Sequence, residues 1–305
     1  MILDNIEDVY SNNLFALHEL VLNELGSYVF VKNRQGEYLY ANQLTLKLFG
    51  TALEELRGKT DHDFFQDDLL ADILHSDQMV FDTKQPFISE ERAQAKFDTK
   101  VRVYRAIKKP ILSTQTGEVI GLIGVSTEIT DIVELREQLH TLANTDDLTQ
   151  LYNRRKLWRE ACNEFTLAQR DHYPISCIAI DIDNFKLVND TYGHQRGDDV
   201  IWQLAEIARK HTRHGDACGR IGGEEFLIVL HKANAHEAFQ VADRLRKEFY
   251  AYAFFDNGAH FSISCGISEI AGNDADFFEI YRRSDKALYK AKLAGRNQCA
   301  TFQET

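Results

Sequence analysis

The chain has 305 residues, 44% hydrophobic and 11% aromatic, enough for two domains of ordinary size with buried cores. Lys and Arg number 35 against 47 Asp and Glu, a net charge of −12 that excludes a general affinity for nucleic acid or an anionic membrane. Acidic residues interrupt the start (Asp4, Glu7, Asp8) and no stretch reaches membrane-spanning length, so no signal peptide or membrane insertion is expected and a cytoplasmic location is.

Residues 1–25 carry Leu14, Leu17, Val21, Leu22 and Leu25 at helical spacing, with Gly26 as the stop. The spacing predicts an N-terminal helix, either a dimerisation helix or one packed on the next domain. From Ser27 the rhythm changes to two short strands, Tyr28–Val31 and Glu37–Ala41, joined by residues 32–36. Short helices over Gln43–Phe49 and Ala52–Leu56 follow, then a longer one from Asp67 to about Thr83. Three strands are expected next, over Pro86–Gln94, Phe97–Ile107 and Glu118–Glu128. This order predicts a small antiparallel sheet with helices on one face. With the run N-R-x-G-x-x-x-Y-A-N at 33–42 and the closing segment Gly121–Asp131, residues 26–131 resemble a PAS domain. The resemblance implies a sensory domain that takes a small molecule or cofactor between sheet and helices. The residues do not name that ligand. No Cys-centred flavin motif is present, and His18, His62 and His75 are isolated candidates for haem ligation, a role rarer than a cap or surface histidine.

Ile132, Leu135, Leu139 and Leu142 fall at 3-4-3 spacing, an a/d seam on a helical linker over 132–145. A short parallel pairing there would hold two copies together and pass on a rotation or register change. The second domain, 146–305, opens on Asp146–Arg155 and a helix to about Arg170. Next come a strand Ile175–Ile180, an acidic turn at Asp181–Asp183, and a helical stretch starting near Gly197-Asp198. A glycine hairpin, Arg220-Ile221-Gly222-Gly223-Glu224-Glu225-Phe226, leads into the apolar run 227–230. Gly222 and Gly223 permit positive φ and close approach of another molecule, and the adjacent carboxylates of Glu224 and Glu225 diverge. A helix Ala235–Tyr250, a strand Phe261–Ile267 and a helix Phe277–Leu293 complete a βαβ-rich α/β domain. The five cysteines form no CxxC pair, and Cys177 and Cys265 read as small buried hydrophobes.

Four segments carry chemistry: D-D-L-T-Q-L-x-N-R-R at 146–155, D-I-D-N-F-K-x-x-N-D-x-Y-G-H-x-x-G-D at 181–198, G-G-E-E-F at 222–226 and A-L-Y-K-A-K-x-x-G-R-N at 287–297. In this order they resemble the GGDEF family of diguanylate cyclases, which condense two GTP into cyclic di-GMP and two pyrophosphates. The expected fold class is therefore α+β with α/β. A PAS-like antiparallel sheet with helices precedes a palm-like nucleotide-cyclase domain whose central mixed sheet is flanked by helices. Attack of a ribose hydroxyl on an α-phosphorus calls for hard cations held by carboxylates.

By resemblance, Asp181, the Ile182 carbonyl, Glu224 and Glu225 bind Mg2+, two ions per GTP half-site with Mn2+ as a substitute, and Glu224 helps deprotonate the hydroxyl. The division of labour between Glu224 and Glu225 stays open. Backbone amides of Asn184 and Phe185, with Lys186, Lys292 and Arg296, would hold phosphates beside the Gly222-Gly223 turn. Lys292 and Arg296 are spaced i, i+4, and their plain alternative is a helix C-terminal cap. Asn189 and Asp198 match the family's guanine readers. Arg213 and Asp216, with five residues between Asp216 and Gly222, resemble a product-inhibition site for cyclic di-GMP, with a surface ion pair as the alternative. The third motif letter is Glu rather than Asp, a variant among active members. The resemblance implies GTP and cyclic di-GMP as partners and a homodimer through the linker and N-terminal regions. The competing reading is a non-catalytic receptor for GTP or cyclic di-GMP.

Overall fold

The structure is a computed structural model and describes residues 20–303. Leu14, Leu17 and His18 lie outside the described residues; residues 20–24 are helical. The chain divides into two compact units, Met1–Glu137 and Gln138–Thr305.

The first unit is built on β1 (Tyr28–Asn33), β2 (Tyr38–Ala41), β3 (Phe87–Ala93), β4 (Arg102–Leu112) and β5 (Val119–Glu128), ordered β2-β1-β5-β4-β3. Every pairing is antiparallel. Between β2 and β3 run α1 (Gln43–Phe49), α2 (Leu53–Leu56), α3 (Asp61–Phe64) and α4 (Ala71–Thr83). Local chemistry fixes these short helices. Asn42 caps α1 by accepting from the Thr45 amide, Gly50 ends it at φ 64°, and Thr60 and Asp63 form a capping box on α3. Phe30, Tyr38, Phe49, Phe64, Val80 and Leu122 fill the core between helices and sheet. The strand expected at Phe97–Ile107 lies instead at Arg102–Leu112, and Phe97 is exposed. β3 ends opposite Lys108, so β4 beyond that point is an edge that tolerates Pro110, a residue without an N–H.

The linker is a helix, α5 (Thr130–Asn144). Its seam residues Ile132, Leu135, Leu139 and Leu142 are all more than half exposed.

The second unit has a mixed sheet, β10-β9-β6-β8-β7, of β6 (Ile175–Ile182), β7 (Ala217–Arg220), β8 (Glu225–His231), β9 (Ile263–Glu269) and β10 (Cys299–Thr301). β10 runs parallel to β9, and the other pairings are antiparallel. The helices are α6 (Arg154–Asp171), α7 (Phe185–Tyr192), α8 (His194–His211), α9 (Ala235–Ala251) and α10 (Phe277–Leu293). β6 is buried along its whole length, as a central strand covered on both faces must be. Ile178, Ile180 and Ile182 share a core with Leu204 of α8 and Leu245 of α9. Cys177 and Ala179 share the other with Leu157 of α6 and Ile280 and Leu288 of α10. The alternation delivers Asp181 to the α10 side of the sheet. Cys177 and Cys265 are buried as expected.

Three boundaries differ from the sequence expectation. Asp181 and Ile182 still belong to β6, so the turn starts at Asp183. The helical stretch begins earlier, with α7, and α8 starts at His194 behind Gly193 at φ 83°. The strand expected at Phe261–Ile267 is Ile263–Glu269.

Candidate active site

The end of β6 gathers the acidic residues. Asp181 sits opposite Glu225 of β8 on one side and Ser264 of β9 on the other. Lys292, in the last turn of α10, places its Nζ 2.8 Å from Asp181 Oδ2. Burial pushes the Asp181 carboxyl above its ordinary value; Lys292 opposes this, and Glu225 and Asp183 add to it. Asp183 is committed to structure, accepting from the hydroxyls of Ser262 and Ser264 at 2.7 Å and from the Asn297 amide at 3.0 Å. Glu225 and Lys292 border one cavity of about 660 Å³.

Glu224 stands in the turn just before β8, and its carbonyl accepts from the Ile182 amide at 3.4 Å. Neither Gly222 nor Gly223 adopts the positive φ that glycine permits. A Cβ at Gly222 would meet the flexible Glu225 carboxylate at Oε2. The tip is held by Arg220. Its guanidinium donates to the carbonyls of Gly222 (3.1 Å) and Gly223 (2.9 and 2.7 Å) while pairing with Asp146 at 3.2 Å. Asp146 opens the first motif, so that motif supports the hairpin from 74 residues away. Sequence reasoning assigned neither residue a role.

Asn184 adopts φ 55° at the start of α7, and no side chain caps that helix. The first-turn amides around Phe185 and Lys186 therefore form a place for an anion. Phe185 is buried and Lys186 exposed. Asp183 and Asn184 border a cavity of about 310 Å³. Asn189 of α7 lies against Gly197 of α8, where any Cβ would overlap Asn189 Oδ1. That oxygen is buried without a hydrogen-bond partner, and Asp198 beside Gly197 is exposed. Asn189 and the exposed Asp198 carboxylate thus lie at the same α7–α8 junction.

Arg296 departs from the expected helix face. α10 ends at Leu293, Gly295 has φ 118° and Arg296 φ 64°, so Arg296 belongs to the loop and does not continue the face of Lys292. Arg213 and Asp216 form a turn of their own: the Arg213 amide donates to Asp216 at 2.9 Å, and Asp216 also accepts from the His231 amide at 3.0 Å. The Asp216 carboxylate is 2% exposed and the Arg213 side chain 64%. Arg213 and Asp216 border a cavity of about 320 Å³ together with Arg244 of α9, a cation that no motif singled out.

A divalent metal is the group that the motifs imply at this site. Among the described residues, no three His, Cys, Asp or Glu side chains converge on one point. The chemistry nevertheless fits. The site offers only hard oxygen donors, Asp181 is surplus negative charge beside Glu225 and Asp183, and the Lys292 ammonium stands in as its counter-charge.

Residues 143–298 match the family described as diguanylate cyclase, GGDEF domain, and residues 22–134 match the PAS fold. A diguanylate cyclase of Vibrio cholerae is 57% identical over 303 residues, covering 99% of this chain and 94% of that protein. The active GGEEF domain of a Vibrio cholerae diguanylate cyclase is 45% identical with a TM-score of 0.50, covering 50% of this chain and 98% of its own. The coiled coil and GGDEF domain of DgcB from Caulobacter crescentus, solved with c-di-GMP, is 28% identical with a TM-score of 0.54, covering 57% and 93%. Fold and site together define a PAS domain followed by a nucleotidyltransferase domain. The chain belongs to the GGDEF family of diguanylate cyclases, divalent-metal-dependent enzymes that make cyclic di-GMP from two GTP. Among the described residues no helix is long and apolar enough to cross a membrane.

Proposed function

We propose that Asp181, the Ile182 carbonyl, Glu224 and Glu225 hold magnesium in the second domain, with manganese as a working substitute. Bound there, two divalent cations neutralise the triphosphate and ease ionisation of the attacking 3′-hydroxyl. The observation that carries this reading is the buried Asp181 carboxylate opposite Glu225, with Lys292 as its ion-pair partner among the described residues. Lys292 then serves two partners, Asp181 in the free enzyme and a phosphate in the loaded one. The first-turn amides of α7, with Lys186 and Arg296, hold phosphate oxygens. Asn189 and Asp198 read the guanine edge, and Glu224 accepts the hydroxyl proton.

Each domain presents one GTP, so two copies must face each other, and the exposed seam of α5 supports a homodimer formed through the linker. Arg213 and Asp216 bind the product and lower the rate, and the PAS domain adjusts activity from the cytoplasm.

The full chain, given GTP and Mg2+, should release cyclic di-GMP, and Glu224→Gln should lower the rate by about 10²- to 10⁴-fold. Unchanged turnover in Glu224→Gln removes its role as base. ATP in place of GTP should give no cyclic dinucleotide. Arg213→Ala should raise the cyclic di-GMP concentration that half-inhibits the enzyme; an identical inhibition curve rules that site out.

A further inference from the structure

The core of the PAS domain holds charges that packing does not call for. Lys32 and Lys108 are both fully buried. Lys32 Nζ lies 2.5 Å from Asp61 and 2.8 Å from Asp77; Lys108 Nζ lies 2.5 Å from Asp77 and 3.0 Å from Glu91. Burial opposes the charge on Lys32, but Asp61 and Asp77 outweigh it and hold the ammonium above its ordinary pKa. Burial likewise opposes ionisation of Asp77, and the two lysines outweigh it. Two ammonium groups thus face three carboxylates. Among the described residues no third Lys or Arg pairs with these carboxyl groups, which lie where water screens poorly; the hydroxyls of Tyr38 and Ser76 donate to Asp61 and Glu91.

Beside this network lies a cavity of about 30 Å³. Asp61 and Glu91 border it, and so do the rings of Tyr28, Phe30, Tyr38, Phe49, Phe65 and Tyr104. Aromatic faces carry negative potential and favour cations. The chain's own ammonium already uses these walls: Lys32 Nζ is 4.9 Å from the Tyr38 ring centre and 5.2 Å from that of Phe30. The volume suits one or two non-hydrogen atoms and is far too small for haem or flavin. An anion would be repelled by Asp61 and Glu91, and a neutral apolar molecule would leave the charge count unchanged.

We propose that this cavity binds a small protonated amine, ammonium or methylammonium, ringed by aromatic faces and accepted by the Asp61 and Glu91 carboxylates. The site joins α3 and α4 to β1, β3 and β4, so occupancy is felt by both layers of the domain.

The test is calorimetry and thermal unfolding of the full chain at pH 7. Ammonium and methylammonium chloride are compared with sodium, potassium and tetramethylammonium chloride at equal ionic strength. The expected result is saturable binding at one site per chain, with a matching rise in the first domain's unfolding temperature, for the two small amines alone. Ala93→Leu fills the cavity and should weaken binding at least about tenfold. Phe65→Leu removes a ring without adding bulk and should also weaken it, which covers the case in which Ala93→Leu does not fold. Absence of saturable binding overturns the proposal, as does an equal response to tetramethylammonium or potassium. A response that follows pH and ignores amine concentration means a bound proton only, and overturns it too.

Discussion

Lys292 is the residue whose partner changes between the free and the loaded site under the proposed roles. In the free enzyme it neutralises Asp181 at 2.8 Å. Lys292→Met should release Asp181 for metal, so Mn2+ binding measured by electron paramagnetic resonance without nucleotide should tighten. Cyclase activity should meanwhile fall by about 10²-fold, because a phosphate loses its cation. Weaker metal binding in that variant would contradict the dual role. Asp181, Glu225 and Lys292 were legible in the sequence as site candidates, since the motifs single them out, and the fold brings these three together. Asp146–Arg220 and Arg244 were not. Their importance lies in contacts between distant segments, which no local pattern records. Arg296 was misplaced because the i, i+4 rule was carried through Gly295, where the helix has already stopped.

The tip of the hairpin β7–β8 is held by a residue from outside the hairpin as well as by its own arginine. Arg220 fastens both glycine carbonyls, and Asp146 holds Arg220. Asp146→Ala should cost about 1–3 kcal/mol by urea denaturation, since the half-buried Arg220 guanidinium loses its counter-charge. Burial opposes ionisation of Asp146, but the Thr149 hydroxyl and amide and Arg220 hold its carboxyl below the ordinary 3.8. A carboxyl lowered on folding stabilises the native state above its unfolded pKa and loses that effect as pH falls through the folded one. The gap between wild type and variant should therefore be full at pH 7 and close below pH 3.8; a gap constant down to pH 2 would show that charge plays no part. At this scale α1 and α10 matched their predicted bounds, because apolar spacing and flanking caps or stops mark both ends. β4 did not, since a proline that reads as a breaker is harmless once the neighbouring strand has ended.

Across the whole molecule, one helix, α5, leads from the PAS domain into the GGDEF domain, and its seam residues are exposed. The double variant Leu135→Glu with Leu139→Glu should yield a monomer by light scattering and a loss of cyclic di-GMP synthesis, while each domain keeps its own unfolding transition. A variant that stays dimeric would move the interface elsewhere. The two-domain order was legible because the sequence changes period at residues 26 and 132 and carries four motifs beyond. The buried charge network of the first domain was not. Lys32, Asp61, Asp77, Glu91 and Lys108 are scattered over 77 positions, and each looks like an ordinary surface charge until the sheet closes.

Gly223 has an ordinary φ, and a Cβ placed on it would meet nothing within 4 Å. A methyl group there is invisible to the fold. Gly223→Ala is thus a feeler gauge for whatever docks on the hairpin: a folded variant with weakened turnover would report the clearance between backbone and bound nucleotide, a gap that the ligand-free protein cannot display by itself.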